Sequence, residues 1–265
     1  MLKLVILGTG NLSKHLGRAF TRAQGVELVQ WVGRNALELE KAAGSIPHTT
    51  DFGSIAQGDI YLIAVGDDAI GEVSIPLADR KGLVVHTSGT VPLEALRGKD
   101  RGVFYPLQSF SAQREVDFGE IPICIEAERP ASLERLRALA GTLSKEVHEM
   151  GSHQRKILHL AAVFVNNFTN ALYGLGQEIC QGEGLDFELL KPLILETAQK
   201  VQTLPPREAQ TGPARRGDLR TMQSHLELLK KKKHRELYIL LSEMIRENRP
   251  LGPGDPTASP WTDQQ

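Results

Sequence analysis

The 265 residues, 41% of them apolar and 24% charged, suit one large or two smaller soluble globular domains with a substantial core. A net charge of −1 argues against a nucleic-acid or membrane-surface protein. Two cysteines, Cys124 and Cys180, without ligand-type spacing, argue against a disulfide framework and a thiolate metal site.

The first element is the apolar run Leu2–Leu7, followed at once by Gly8-Thr9-Gly10-Asn11-Leu12-Ser13. Leu12, Leu16, Ala19 and Phe20 then recur at helical spacing. Strand, glycine turn and helix open a dinucleotide-binding unit. The first glycine permits a sharp turn off the strand. The second lets backbone approach a pyrophosphate, and the helix N-terminus offers free N–H groups to that anion. Gly8, Thr9, Gly10, Asn11 and Leu12 are therefore expected to hold a cofactor. The third glycine of the fingerprint is replaced by Ser13, small enough to keep helix and strand close. The chain opens directly on this strand, without a signal peptide, and its apolar runs are too short to span a membrane, so a cytoplasmic protein is expected.

The second strand, Val26–Val32, ends in Gly33-Arg34-Asn35, and a helix follows through Lys41. An NAD site places an acidic residue here for the ribose 2′-hydroxyl. Arg34 cannot accept that bond but can clamp a 2′-phosphate, which points to NADP with Arg34 and Asn35 at its ribose. The other reading of Arg34 is a solvated helix start. After a short segment near Thr49, the apolar run Asp59–Val65 reads as a parallel strand covered on both faces. Val65, Gly66 and Asp67 then border the crevice at the strands' carboxyl ends, with Asp68 as an N-cap. The strand Leu83–Gly89 brings Thr87 and Ser88 to the same edge, where the nicotinamide should lie, while His86 reads as strand interior. A short helix is expected over Val91–Leu96. Strand and loop follow over Gly102–Ser111, placing Tyr105 and Gln108 at the edge as substrate contacts. The strand Ile121–Glu126, a helix over Ala131–Leu143 and the strand Glu146–Met150 close a mostly parallel α/β domain, residues 1–151.

From residue 152 to 248 the pattern is all helical. Ser152–Gln181 reads as one long helix, with Leu158, Ala162, Val165, Thr169, Leu172, Gly176 and Ile179 along a coiled-coil-like seam. Apolar nearly all round, it is expected to be buried by its own bundle or by a second subunit. At 100° per residue Asn166 and Asn170 each fall within roughly 20° of His159, and Asn167 about 80° round from it. Such a polar stripe either bonds backbone across the bundle or faces a cleft. In a cleft, His159 would protonate or polarise a heteroatom while Asn166 and Asn167 orient the substrate. A second helix is expected over Asp186–Val201 with Pro192 near its second turn, then a loop over Gln202–Gly217, a helix capped by Asp218, and a last helix around Leu237–Ile245. In the loop, Arg216 between Gly212 and Gly217 makes an anion clamp for a carboxylate or phosphate. The basic run Lys230–Lys233 reads as a solvated helix end, and the proline-rich stretch 249–265 as a disordered tail. No His/Cys cluster points to metal.

Several stretches together resemble one family: Leu7–Ser13, Val85–Gly89, Tyr105–Phe110, His159–Phe164 running into Asn167-Phe168, and Thr211–Asp218. It is the family pairing a Rossmann-like domain with the helical domain of unknown function 2520. That family is similar to pyrroline-5-carboxylate reductases, deazaflavin-dependent NADP oxidoreductases and 6-phosphogluconate or 3-hydroxyacid dehydrogenases. The resemblance spans about residues 1–247 and implies a nicotinamide cofactor and a helical domain, like the C-terminal one of 6-phosphogluconate dehydrogenase, that dimerises and closes the substrate site. The dehydrogenases' lysine, four residues before an asparagine, has no counterpart: Val163 precedes Asn167 and Ala162 precedes Asn166 at that distance. The expectation is a homodimeric, NADPH-dependent reductase of a small anionic imine or carbonyl compound at the interdomain cleft. A non-catalytic NADP-binding sensor and a dimeric scaffold are the alternatives.

Overall fold

The computed structural model describes residues 1–247, so the tail expected at 249–265 lies outside the described residues. Eight strands form one sheet: β1 Leu2–Leu7, β2 Val26–Val32, β3 His48–Thr49, β4 Ile60–Ile63, β5 Leu83–His86, β6 Arg101–Pro106, β7 Ile123–Ala127 and β8 Val147–Glu149. Their order is β3-β2-β1-β4-β5-β6-β7-β8, parallel throughout except between β6 and β7. This is the Rossmann-like arrangement, with the strand order reversing between β1 and β4, where α/β sheets bind their ligands.

Alternation along the central strands explains why they read as continuous apolar runs. Leu4, Ile6, Ile60 and Leu62 enter one core layer, and Val5, Leu7, Tyr61 and Ile63 the other. The first layer is covered by α1 (Asn11–Arg22), α2 (Ala36–Ala43) and α4 (Pro130–Gly141), through Leu16, Phe20, Leu39, Leu136 and Leu139. The second is covered by Ile70 and Val73 of α3 (Ile70–Ser74) and by Leu77 and Leu96. Both faces exclude water, as a parallel sheet requires.

Several expected elements differ. The helix over Val91–Leu96 is a single 3₁₀ turn, Leu93–Ala95, because Pro92 and Leu96 flank it in extended conformations. Asp68 is not an N-cap: it lies inside a 3₁₀ turn, Asp67–Ala69, which Gly66 caps, and Ala69 is the N-cap of α3. The long helix has three parts, α5 (Ser152–Ala162), a π-helical stretch Val163–Phe168, and α6 (Thr169–Gly182). Nor is it buried all round within the chain, since Phe164, Val165 and Phe168 are half or more exposed.

The sequence places the domain boundary at residue 151, while the chain divides into compact units at Met1–Tyr173 and from Gly174 onward. The first half of the helix joins the sheet because Ser152 and Arg155 both bond Glu126 of β7, and Arg155 also donates to the Val91 carbonyl at 2.7 Å. In the second unit a 3₁₀ turn, Phe187–Leu190, precedes α7 (Lys191–Thr203), whose first turn, not its second, holds Pro192. The stretch expected as loop contains two one-turn helices, α8 (Pro206–Ala209) and α9 (Pro213–Arg216), each started by proline. Asp218 caps α10 (Leu219–Leu228) by accepting from the Thr221 N–H at 3.1 Å, and α11 (Lys232–Glu247) follows. Lys230 pairs with Glu183, and Lys231 with Glu178 of α6, so the basic run is partly neutralised locally. Among the described residues no helix is long and apolar enough to cross a membrane.

Candidate functional site

A cavity of about 440 Å³ opens at the carboxyl ends of β1, β2 and β4. Gly8, Thr9, Gly10, Asn11, Leu12, Arg34, Asn35, Val65 and Gly66 line it, joined by Gly33, Phe52, Ala64 and Val73. Gly8 turns the chain with φ +128°, and a Cβ there would lie 2.1 Å from the Ala64 carbonyl oxygen. At Gly10, the N-cap of α1, a Cβ would meet nothing within 4 Å, so the space beside this backbone is free for a ligand. Asn35 caps α2 through the Glu38 N–H at 3.1 Å, leaving Arg34 exposed on the rim.

Ser13 does more than fit. Its buried hydroxyl donates to the Gly8 carbonyl at 2.6 Å, and the Trp31 indole N–H donates to the same oxygen at 2.7 Å. The close approach of helix and strand falls instead to Gly17, where a Cβ would lie 2.2 Å from the Trp31 ring. On the other side of the turn, the Asn11 side-chain amide donates to the Phe110 carbonyl at 3.2 Å. His15 bonds the Ser111 carbonyl at 2.9 Å. The loop after β6 is thus fastened to α1.

Asp67, Thr87 and Ser88 do not line the cavity. Asp67 accepts from the Thr90 hydroxyl at 2.5 Å, and Thr87 donates to the Ile63 carbonyl at 3.3 Å. The Ser88 oxygen accepts from the N–H groups of Thr90 and Val91, both at 3.0 Å. These groups build the turn after β5. His86 is fully buried, as a strand-interior residue should be, and its Nδ1 accepts from the Ser88 N–H at 3.1 Å. Burial, then the charge of Arg155, pushes its pKa down to about 4. The Pro92 carbonyl pulls the other way without making a well-formed hydrogen bond to Nε2.

Next to this turn the structure unites two residues 54 positions apart: the Tyr105 hydroxyl lies 3.0 Å from His159 Nδ1. Burial, followed by the neighbouring Cys124, pushes the phenol up to about 12, so it stays protonated. Gln108 sits beyond β6 on an exposed loop, its side-chain oxygen accepting from the Ser109 N–H at 2.8 Å. Asn166 and Asn167 fall in the π-helical stretch, and both are exposed. A π turn holds about one residue more than an α turn, so positions beyond it slip back by up to roughly 100°. The stripe of His159, Asn166 and Asn170 is thereby broken, and Asn167 moves toward the line of His159. In the second unit Arg216 is exposed on α9. The carboxyl of nearby Asp218 is held below its usual pKa by bonds from Thr221, with Arg216 and Arg220 adding to the effect.

Arg155 and Glu126 went unnoticed in the sequence. Arg155 is fully buried and paired with Glu126. A charged residue on the first turns of an amphipathic helix carries no local sign of a partner 29 positions away.

The family model for the domain of unknown function DUF2520 matches residues 121–245. A Bacteroides fragilis structure described as a "putative NADP oxidoreductase" is 40% identical, covering 93% of this chain and 98% of its own, with a TM-score of 0.86. A Thermotoga maritima protein is 23% identical over 92% of this chain and 97% of its own, TM-score 0.73. The imine reductase of Myxococcus stipitatus, solved with NADP⁺, shares the fold at 20% identity over 92% of this chain and 93% of its own, TM-score 0.64. Comparison with curated proteins gives no match. The chain belongs to the family of Rossmann-like proteins that carry the DUF2520 domain.

Proposed function

We propose that the chain is an NADP-dependent oxidoreductase that reduces a small anionic imine or carbonyl compound. The observation that carries this reading is the cavity between the Gly8–Leu12 turn and Arg34. Its fit to a dinucleotide is specific. The backbone at Gly10 is open, the N-terminus of a 12-residue helix faces the space, and the rim holds a guanidinium where an NAD site would hold a carboxylate. The similarity to the Bacteroides protein and the fold shared with an NADP⁺-bound imine reductase support the same cofactor.

In this reading Gly8, Thr9, Gly10, Asn11 and Leu12 hold the pyrophosphate, and Arg34 and Asn35 the ribose 2′-phosphate. Val65, Gly66 and Asp67 border the dinucleotide, and Thr87 and Ser88 shape the turn toward its nicotinamide. When bound, NADPH supplies the hydride. His159 supplies the proton, Asn166 and Asn167 orient the substrate with Asn167 the better placed, and Tyr105 and Gln108 flank it. Arg216 holds its anionic group. Copies of the chain pair through the helical region, covering the apolar side chains exposed along the π-helical stretch.

Titration of purified protein with NADPH and NADH tests the proposal. NADPH is expected to bind at least about tenfold tighter, and Arg34→Ala to erase the preference, a charge-assisted phosphate contact being worth about 1.5–3 kcal/mol. Binding of neither nucleotide overturns it. Binding without turnover of any imine, ketoacid or aldehyde would instead support a sensor.

A further inference from the structure

We infer that Tyr105 is a positioning residue that confines proton exchange at His159 to Nε2. The inference rests on the proposal that His159 serves as the proton donor, and it adds which nitrogen does so and what fixes the choice. Three features of the first unit converge on it. The Tyr105 hydroxyl and His159 Nδ1 are 3.0 Å apart, with the rings edge-on and their centroids 6.0 Å apart. Gly89 packs against both: a Cβ there would come within 2.6 Å of Nδ1 and 2.8 Å of the Tyr105 ring carbon that bears the hydroxyl. Tyr105 itself is 9% exposed on β6, walled in by Leu93, Val103 and Cys124, so its ring has little freedom to leave the histidine.

A phenol both donates and accepts, and an imidazole changes roles with its charge. When His159 is neutral, Nδ1–H donates to the phenol oxygen and the lone pair sits on Nε2. When His159 is cationic, Nδ1–H keeps that bond and Nε2 carries the second proton. Nδ1 is engaged in both states, whereas Nε2 has no hydrogen-bond partner among the described residues. Proton delivery then has one course. The Nε2–H bond of the imidazolium breaks, its electron pair stays on Nε2, and the proton joins the nitrogen or oxygen made basic by hydride addition from the reduced nicotinamide cofactor. The ring left behind is neutral, with its Nδ1–H donated to Tyr105. The phenol keeps its own proton throughout, in line with its raised pKa.

The test is ¹⁵N NMR of histidine-labelled protein at a pH where His159 is neutral, with the signal assigned by its loss in His159→Gln. In the wild type, Nδ1 is expected to appear as protonated and Nε2 as an unprotonated acceptor. Tyr105→Phe, which keeps the ring and removes only the hydroxyl, is expected to give a mixture of the two tautomers. Gly89→Ala, which wedges a methyl against both rings, is expected to do the same. A wild-type ring in the Nε2–H form, or an unchanged tautomer in Tyr105→Phe, overturns the inference. Should neither variant fold, the wild-type spectrum still decides. The signature needs no turnover, so it stands or falls separately from the reductase reading. If both hold, Tyr105→Phe also lowers kcat by about tenfold or more at nearly constant KM, as expected for partial loss of general-acid catalysis.

Discussion

His86 shows how one buried side chain ties stability to pH. Burial disfavours the charged ring, and Arg155 adds positive charge nearby, so the folded chain keeps the ring neutral. In the unfolded chain the same ring titrates near 6.5, and in the fold near 4. Between those values the unfolded state binds a proton that the native state refuses, so stability falls as pH falls through the window. At 1.36 kcal/mol per pKa unit this comes to about 2 kcal/mol by pH 5 and about 3 kcal/mol once both states are protonated. Urea unfolding at pH 7 and pH 5 should show that loss, and His86→Gln should remove it. An equal loss in the variant would place the acid sensitivity in other groups. The sequence placed His86 correctly in a strand, because an apolar run surrounds it. Its titration was hidden, since Arg155 reaches it only through the folded packing of α5 on the sheet. Tyr105 and His159 were each legible as site residues, but their pairing across 54 positions was not.

At the scale of elements, what could be read was whatever is written locally. Strand, turn and helix over Leu2–Arg22 follow from the apolar run, two glycines and helical spacing, and the cavity wall follows from them. The π-helical stretch could not be read this way. Periodicity arithmetic assumes one pitch, and nothing in Val163–Phe168 announces a wider turn, so the alignment of Asn166 with His159 was an artefact of that assumption. Helix α1 gives a sharper instance. The missing fingerprint glycine suggested that helix and strand meet at Ser13, yet the tight contact is one turn further on, where the Trp31 ring lies over Gly17. A Gly17→Ala substitution must displace that ring, and overpacking of this kind costs about 1–3 kcal/mol despite the better helix propensity of alanine. Thermal or urea unfolding measures it. An unchanged midpoint would mean that the indole can move aside without loss.

For the molecule as a whole, the exposed apolar residues of the π-helical stretch set the terms. Phe164, Val165 and Phe168 are 57%, 75% and 50% exposed, and they lie within six consecutive positions. A patch of this kind on a single chain marks an association surface. If copies of the chain cover it, sedimentation at micromolar concentration should give a dimer, and Val165→Glu, which buries a charge at the contact, should give monomers that keep the sheet's circular dichroism. A wild-type monomer would count against pairing through this surface. Composition and helix pattern foretold that the long helix needs covering. They could not tell a covering from the chain's own bundle from one by a second copy, because both demand the same apolar residues.

The Trp31 indole, bonded to the carbonyl of Gly8 and shielded from water, has an optical consequence. The chain has one other tryptophan, Trp261, outside the described residues. In a Trp261→Phe background, ultraviolet emission would come from a single fluorophore whose N–H is clasped by the turn at the mouth of the cavity. Movement of that turn would alter the dipole beside the excited ring and shift its colour. The protein carries a built-in lamp at its proposed cofactor site, readable without dye, label or assay of turnover.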